Sequence, residues 1–142
     1  MKRLVIVIAV LVLLISGGVV YYLNQQNKNS NNETAMVEEK GTFTTIKAEQ
    51  AKKMMDEGMV TIVDVRAKSE YEAGHVKNAI LIPNESIGDS EPMELTDKDA
   101  TILLYCRTGV RAGQAAQKLA DMGYKNVYSF GGIVDWPYEI EK

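Results

Sequence analysis

A single cysteine, Cys106, lies where three sequence patterns meet. It follows the apolar, partly β-branched run Thr101–Tyr105, and a short glycine-containing loop with Arg107 and Arg111 comes next. From about Val110 onward the apolar residues recur at helical spacing, so a strand, a tight loop and a helix start are predicted around the thiol. The first turn of a helix offers unpaired N–H groups and the positive end of the helix dipole. Together with two arginines these groups stabilise a thiolate, and the pattern therefore indicates a nucleophilic cysteine.

An isolated cysteine is more commonly a small buried hydrophobic residue, and this is the alternative interpretation of Cys106. The two arginines of the loop disfavour it, because a guanidinium is costly to bury. One cysteine excludes a disulfide within the chain, and one cysteine with one histidine disfavours a zinc site. We therefore expect no zinc at the thiol.

The loop Cys106-Arg107-Thr108-Gly109-Val110-Arg111 resembles the active-site loop of rhodanese-type sulfurtransferases. Other segments similar to this family occur in the family's order. They are Asp64-Val65-Arg66, Glu70-Tyr71, Gly74-His75-Val76, Ala79, Ile82-Pro83, Gly123-Tyr124, Val127-Tyr128, Gly131-Gly132 and Asp135-Trp136-Pro137. The resemblance covers about residues 42–142. The chain departs from the family pattern at Lys77-Asn78, where a pair such as Pro-Gly is frequent, and at Ala112, where serine is common.

This resemblance implies that Cys106 is the catalytic nucleophile. Its thiolate would take the outer sulfur of a small anionic donor such as thiosulfate, hold it as a persulfide and pass it to a thiol or cyanide acceptor. The residues expected to bind the donor are Arg107, Thr108, Gly109, Val110 and Arg111. The same loop also fits an alternative, a membrane-tethered module that carries persulfide or senses sulfide without turnover.

The spacing within the loop favours sulfur over phosphate chemistry. Four residues separate Cys106 from Arg111, whereas cysteine-dependent phosphatases, which use related loops, typically have five. A shorter loop makes a narrower ring of N–H groups, which suits one sulfur atom better than a tetrahedral phosphate.

Four residues outside the loop are candidate supporting residues. Asp64 and Arg66 follow a β-branched run and are expected to form a buried ion pair. His75 could serve as a general base for Cys106, although the resemblance implies a structural role for it in a loop. Trp136 either walls a pocket or packs the C-terminal turn.

Strand-like and helix-like segments alternate along the domain, which predicts an α/β fold with helices on both faces of a parallel sheet of four to five strands. Strands are predicted near 43–46, 60–65, 79–82, 101–105 and 127–129, and helices near 48–56, 69–73 and 110–122. Ser69 is the expected N-cap of the second helix. Functional sites of such sheets form at the carboxyl ends of strands, where Cys106, Asp64 and Arg66 are predicted to lie.

The N-terminal segment predicts a membrane anchor. Lys2-Arg3 precedes the uncharged run 4–23, whose twenty residues would span roughly 30 Å as a helix, about one bilayer core. The polar stretch 24–41 is expected to be a flexible linker to the domain at 42–142. The positive charges should stay inside, so the domain is expected on the extracytoplasmic side of the cell membrane. The alternative is a cleaved signal peptide of residues 1–18, which would leave a secreted domain.

The charge balance disfavours one class of partner. Residues 42–142 contain 12 Lys and Arg against 16 Asp and Glu. A nucleic-acid-binding domain would present a basic face, so we expect no nucleic-acid partner.

Overall fold

The computed structural model describes residues 40–88 and 90–142. Their regular elements, in chain order, are β1 Thr44–Thr45, α1 Ala48–Glu57, β2 Val60–Asp64, α2 Lys68–Ala73, β3 His75–Val76, β4 Ile80–Leu81, β5 Thr101–Cys106, α3 Val110–Asp121, β6 Asn126–Gly132 and β7 Ile140–Glu141. Two short 3₁₀ turns cover Asn84–Ser86 and Ile133–Asp135.

Five of the strands form one parallel sheet in the order β1-β6-β5-β2-β4. The predicted α/β fold with a parallel sheet of four to five strands is thereby confirmed. The central strand β5 is an almost continuous apolar run, which is typical of a parallel strand covered on both faces. Its last residue, Cys106, therefore lies at the carboxyl end of the sheet's middle strand.

The two faces of β5 bury different residues. Ile102, Leu104 and Cys106 belong to a core cluster that includes the alanines of α3. Leu103 and Tyr105 belong to a second cluster, which includes Ala51 of α1 and aromatic residues near the C-terminus. This alternation follows from the two-residue period of a strand, and it places Cys106 on the α3 side of the sheet.

Two local features differ from the sequence-based expectation. Helix α2 has Ala67 as its N-cap, not Ser69, and the Glu70 carboxylate accepts the Ala67 N–H at 3.0 Å. Because a glutamate three residues after the cap accepts this otherwise unpaired backbone N–H, the helix start needs no hydroxyl at the cap itself. The antiparallel pair of β3 with β7 was not predicted, because two-residue strands carry no readable periodicity.

The predicted membrane segment 4–23 and most of the linker 24–41 lie outside the described residues. Within 40–88 and 90–142, no helix has the length and apolar character needed to cross a membrane.

Candidate active site

The sulfur of Cys106 lies inside its loop. The residue is 1% exposed, and the Gly109 N–H donates a hydrogen bond to Sγ at 3.0 Å. Gly109 is the N-cap of α3 and has φ 107°, a left-handed conformation that glycine adopts without a steric penalty. The chain can therefore turn sharply between β5 and α3, so that a backbone N–H at the start of the helix faces the thiol.

The end of β6 packs against the backbone of the loop. Cys106 pairs with Gly132 after a register shift in which β6 contains one extra residue, and Gly131 in this bulge has φ 88°. A β-carbon on Gly132 would lie 2.0 Å from the carbonyl oxygen of Arg107. The Val134 N–H also donates to that carbonyl, at 3.3 Å. The Gly131-Gly132 segment of the family pattern thus leaves room for the loop backbone.

Arg111 is held in an ion pair that sequence reasoning missed. Its Nη1 and Nη2 donate to the two carboxylate oxygens of Glu70 at 2.7 and 2.9 Å. The hydrogen bonds from Arg111 lower the pKa of Glu70 to about 2, and the same pairing raises the pKa of Arg111. The two side chains are each about 30% exposed, so the pair lies at the edge of the site.

The remaining loop residues face solvent. Arg107 and Thr108 are exposed, Gly109 is half-buried, and Val110 is 68% exposed. Within the described ranges no ion pair of Arg107 is found, so no paired carboxylate offsets its attraction for an incoming anion. The two arginines therefore do not contribute equally to the positive charge of the loop, because Arg111 is paired with a carboxylate.

Asp64 and Arg66 form the expected buried ion pair, with Nη2 2.7 Å from Oδ2. Tyr105 donates its hydroxyl to the same oxygen of Asp64 at 2.6 Å and accepts the Val76 N–H. Burial raises the pKa of Tyr105. Arg66 further donates to the Gly74 carbonyl. Tyr105 lies on the face of β5 opposite to Cys106. The network therefore stabilises the segment around β3 and does not contact the sulfur.

His75 is buried in β3. Its ring stacks on Tyr71 with centroids 3.7 Å apart, and Nδ1 lies 2.9 Å from the Tyr71 carbonyl oxygen. Its Nε2 lies 3.6 Å from a carboxylate oxygen of Glu141. These contacts occupy both ring nitrogens with groups other than Cys106.

Trp136 walls a cavity, but not one at the thiol. It packs against Phe130 and Tyr138 and lines a cavity of about 350 Å³ together with Lys52 and Met55 of α1. The same cavity is lined by Val60 and Ile62 from the amino-terminal half of β2. It therefore lies towards the opposite end of the sheet from Cys106.

Comparison with known proteins places these features in a family. A model of the rhodanese-like domain matches residues 47–138. The structure of rhodanese with anions from E. coli is 34% identical, with a TM-score of 0.54, covering 58% of this chain and 98% of that chain. A rhodanese-like domain protein from Staphylococcus aureus is 31% identical, with a TM-score of 0.60, covering 69% of this chain and 96% of that chain.

A curated relative, tRNA uridine(34) hydroxylase of Yersinia pestis (strain Pestoides F), is 36% identical over 96 residues, which are 64% of this chain. The chain spans only 27% of the length of that relative. The match to the family covers four of the five strands of the parallel sheet, the loop around Cys106 and the Gly131-Gly132 segment that supports the loop. The chain belongs to the rhodanese-like domain family.

Proposed function

We propose that this protein is a sulfurtransferase that moves sulfane sulfur through a persulfide on Cys106. The observation that carries the proposal is the hydrogen bond from the Gly109 N–H to Sγ, at the point where β5 ends and α3 begins. Oriented backbone N–H groups at a helix start stabilise negative charge, which both a thiolate and a persulfide anion carry.

The first half-reaction breaks one S–S bond and forms another. The Cys106 thiolate attacks the outer sulfur of the donor; with thiosulfate, the products are the Cys106 persulfide anion and sulfite. In the second half-reaction cyanide, or a thiolate, attacks the terminal sulfur, and Cys106 leaves as thiolate. Each step conserves charge and needs no cofactor, and the alternation between two enzyme forms should give ping-pong kinetics.

The burial of Cys106 supports sulfur transfer as the reaction type. A residue that is 1% exposed can be reached only by a slender group, such as the terminal sulfur atom of a donor. The loop N–H groups would surround that single atom, while Arg107 at the surface would attract an anion. The predicted donor-binding roles of Thr108, Val110 and Arg111 remain proposals alongside this one.

The same burial favours a second candidate, a persulfide carrier without useful turnover. A terminal sulfur enclosed by the loop is shielded from solvent and from oxidants, as a stored sulfur would need to be. The two functions differ in turnover. With excess donor and acceptor, a transferase forms many equivalents of thiocyanate, whereas a carrier forms about one.

The decisive experiment uses the full chain in detergent with cyanide and either thiosulfate or an organic thiosulfonate as donor. We expect repeated turnover, a mass increase of one sulfur on the donor-treated protein, and loss of both in Cys106→Ser. Turnover that persists in Cys106→Ser would overturn the assignment.

We further propose that residues 4–23 anchor the protein in the cell membrane, with the domain on the extracytoplasmic side. The support is the uncharged run after Lys2-Arg3. Protease added to right-side-out spheroplasts should digest the domain, and full protection would refute this orientation. The N-terminal sequence of the mature protein distinguishes an anchor from a signal peptide cleaved near residue 18.

Hydroxylation of tRNA is not proposed for this chain. The chain spans only 27% of the relative with that name, and the acidic balance of residues 42–142 disfavours a nucleic-acid partner.

A further inference from the structure

The cavity walled by Trp136 is lined mainly by apolar side chains. Ile62, Val76 and Trp136 are its buried lining residues, and the half-buried side chains of Met55 and Val60 also line it. Pockets that hold small molecules typically measure roughly 300–1,000 Å³ and have mostly apolar and aromatic walls. At about 350 Å³ this cavity lies at the lower end of that range, so it suits a compact ligand with a single ring.

Two ion pairs line the same cavity, and in each pair the lysine is the less exposed partner. Lys52 pairs with Asp56 along α1, and their side chains are 36% and 62% exposed. Lys77 pairs with Glu139 at 3.4 Å, and their side chains are 56% and 77% exposed. The ammonium of Lys52 also lies 5.7 Å from the centre of the Tyr138 ring. The cavity therefore presents a cation beside its aromatic wall, while the carboxylates are the more hydrated partners, and this arrangement attracts an anionic group.

Left-handed backbone occurs at two residues that line this cavity. Within 40–88 and 90–142, the non-glycine residues with positive φ are Met59 at 62° and Asn78 at 63°. Asparagine adopts this conformation readily, whereas methionine does so at a steric cost. The side chain of Met59 is 99% exposed, so contacts within the described part of the chain do not offset that cost. A ring bound in the cavity would give this flexible thioether an apolar contact.

We propose that this cavity is a second binding site, for a small aromatic carboxylate whose ring packs on Trp136 and Tyr138 and whose carboxylate pairs with Lys52. The two aromatic side chains stand edge to face with centroids 4.9 Å apart, an arrangement that a third ring can extend. The carboxylate would take the place of Asp56 at Lys52, and the ion pair that it replaces is partly exposed and therefore weak. Because the cavity lies towards the opposite end of the sheet from the thiol, this site does not depend on the proposed sulfur transfer.

Trp136 is the only tryptophan of the chain, so its fluorescence reports on this cavity directly. Phenylacetate is titrated into the full chain in detergent, with excitation at the red edge of tryptophan absorption, where tyrosine and the ligand absorb little. We expect a saturable change in the emission of Trp136. Three compounds test the two features of the ligand: acetate lacks the ring, phenylacetamide lacks the charge, and phenethylamine carries the opposite charge. Each should bind about tenfold more weakly than phenylacetate. Equal binding of phenylacetamide and phenylacetate would overturn the assignment of an anionic ligand.

Substitutions on α1 test which charge the ligand meets. Lys52→Met keeps the apolar stem of the side chain and should weaken phenylacetate binding about fivefold, as the loss of one screened charge predicts. Asp56→Asn should strengthen binding about threefold, because Lys52 then lacks a competing carboxylate.

The matched controls are Lys53→Met and Glu57→Gln, which alter an exposed ion pair of the same spacing on the same helix. Neither residue lines the cavity, so both variants should bind phenylacetate as the unaltered chain does. Equal weakening in Lys52→Met and Lys53→Met would show attraction to surface charge in general and would contradict the site. A Trp136 emission that does not respond saturably to phenylacetate would overturn the proposal as a whole.

Discussion

Gly132 lies directly against the backbone of Arg107. A β-carbon on Gly132 would stand 2.0 Å from the Arg107 carbonyl oxygen and 2.6 Å from the α-carbon of Thr108. Neither atom belongs to a flexible side chain, so any larger residue at 132 must displace the loop itself. The position of the Gly109 N–H relative to Sγ therefore depends on a glycine 23 residues later in the chain.

Gly132→Ala should consequently reduce sulfur transfer by about 100-fold, the loss expected when reacting groups move by about 1 Å. The reaction to measure is the first half-reaction, by the rate of persulfide formation on Cys106. The matched control is Gly113→Ala in α3, where a β-carbon would meet only Phe43 at 3.9 Å. That variant should keep its activity and unfold at a slightly higher temperature, since alanine is the better helix former. Full activity in Gly132→Ala would show that the loop tolerates displacement.

The Glu70–Arg111 pair should make stability depend on pH in the acid range. The pKa of Glu70 is lowered from 4.5 to about 2 by Arg111, so its contribution is fully present above pH 4.5 and is lost as the pH falls towards 2. Glu70→Gln should lower the free energy of unfolding by about 1 kcal/mol at pH 6, since the pair is partly exposed and screened. Urea titrations should show this difference shrinking between pH 4.5 and 2. A difference that is constant over this range would contradict the pairing.

Tyr105 should matter for stability but not for chemistry. Its hydroxyl donates to Asp64 and accepts the Val76 N–H, and Tyr105→Phe removes both hydrogen bonds inside the core. We expect a loss of about 2 kcal/mol in the free energy of unfolding. Because the ring lies on the face of β5 opposite to Cys106, the kcat of the folded fraction should be unchanged. A large drop in kcat with normal stability would place this network in the catalytic machinery.

The position of the nucleophile was predictable because the signals that fix it are local. An apolar run, a glycine-containing loop and a helical period follow one another within about twenty residues, and strand β5, the loop and α3 formed where these signals indicated. The parallel sheet followed in the same way from the alternation of strands and helices. Each of these inferences needs only residues that are close in sequence.

The partner of Arg111 was not predictable in this way. Glu70 is 41 residues away, and nothing local distinguishes it from Glu72, which faces Lys68. The same limit applies to the fit of Gly132 against Arg107 and to the pairing of β3 with β7.

Ser69 was expected to cap α2 because its hydroxyl is a good cap in isolation, but Glu70 already satisfies the Ala67 N–H from within the helix. The charge at the site depends on such long-range contacts.

The protein should not release phosphate from p-nitrophenyl phosphate in a Cys106-dependent reaction. Cysteine-dependent hydrolysis needs room for a tetrahedral group at the sulfur and a guanidinium free to form two hydrogen bonds with it. Here Cys106 is 1% exposed, and Arg111 already donates two hydrogen bonds to Glu70. Nitrophenol release is compared between the full chain and Cys106→Ser, with thiocyanate formation measured on the same samples. Phosphatase activity that is lost in Cys106→Ser, without sulfur transfer from any donor, would show that the loop opens to admit phosphate.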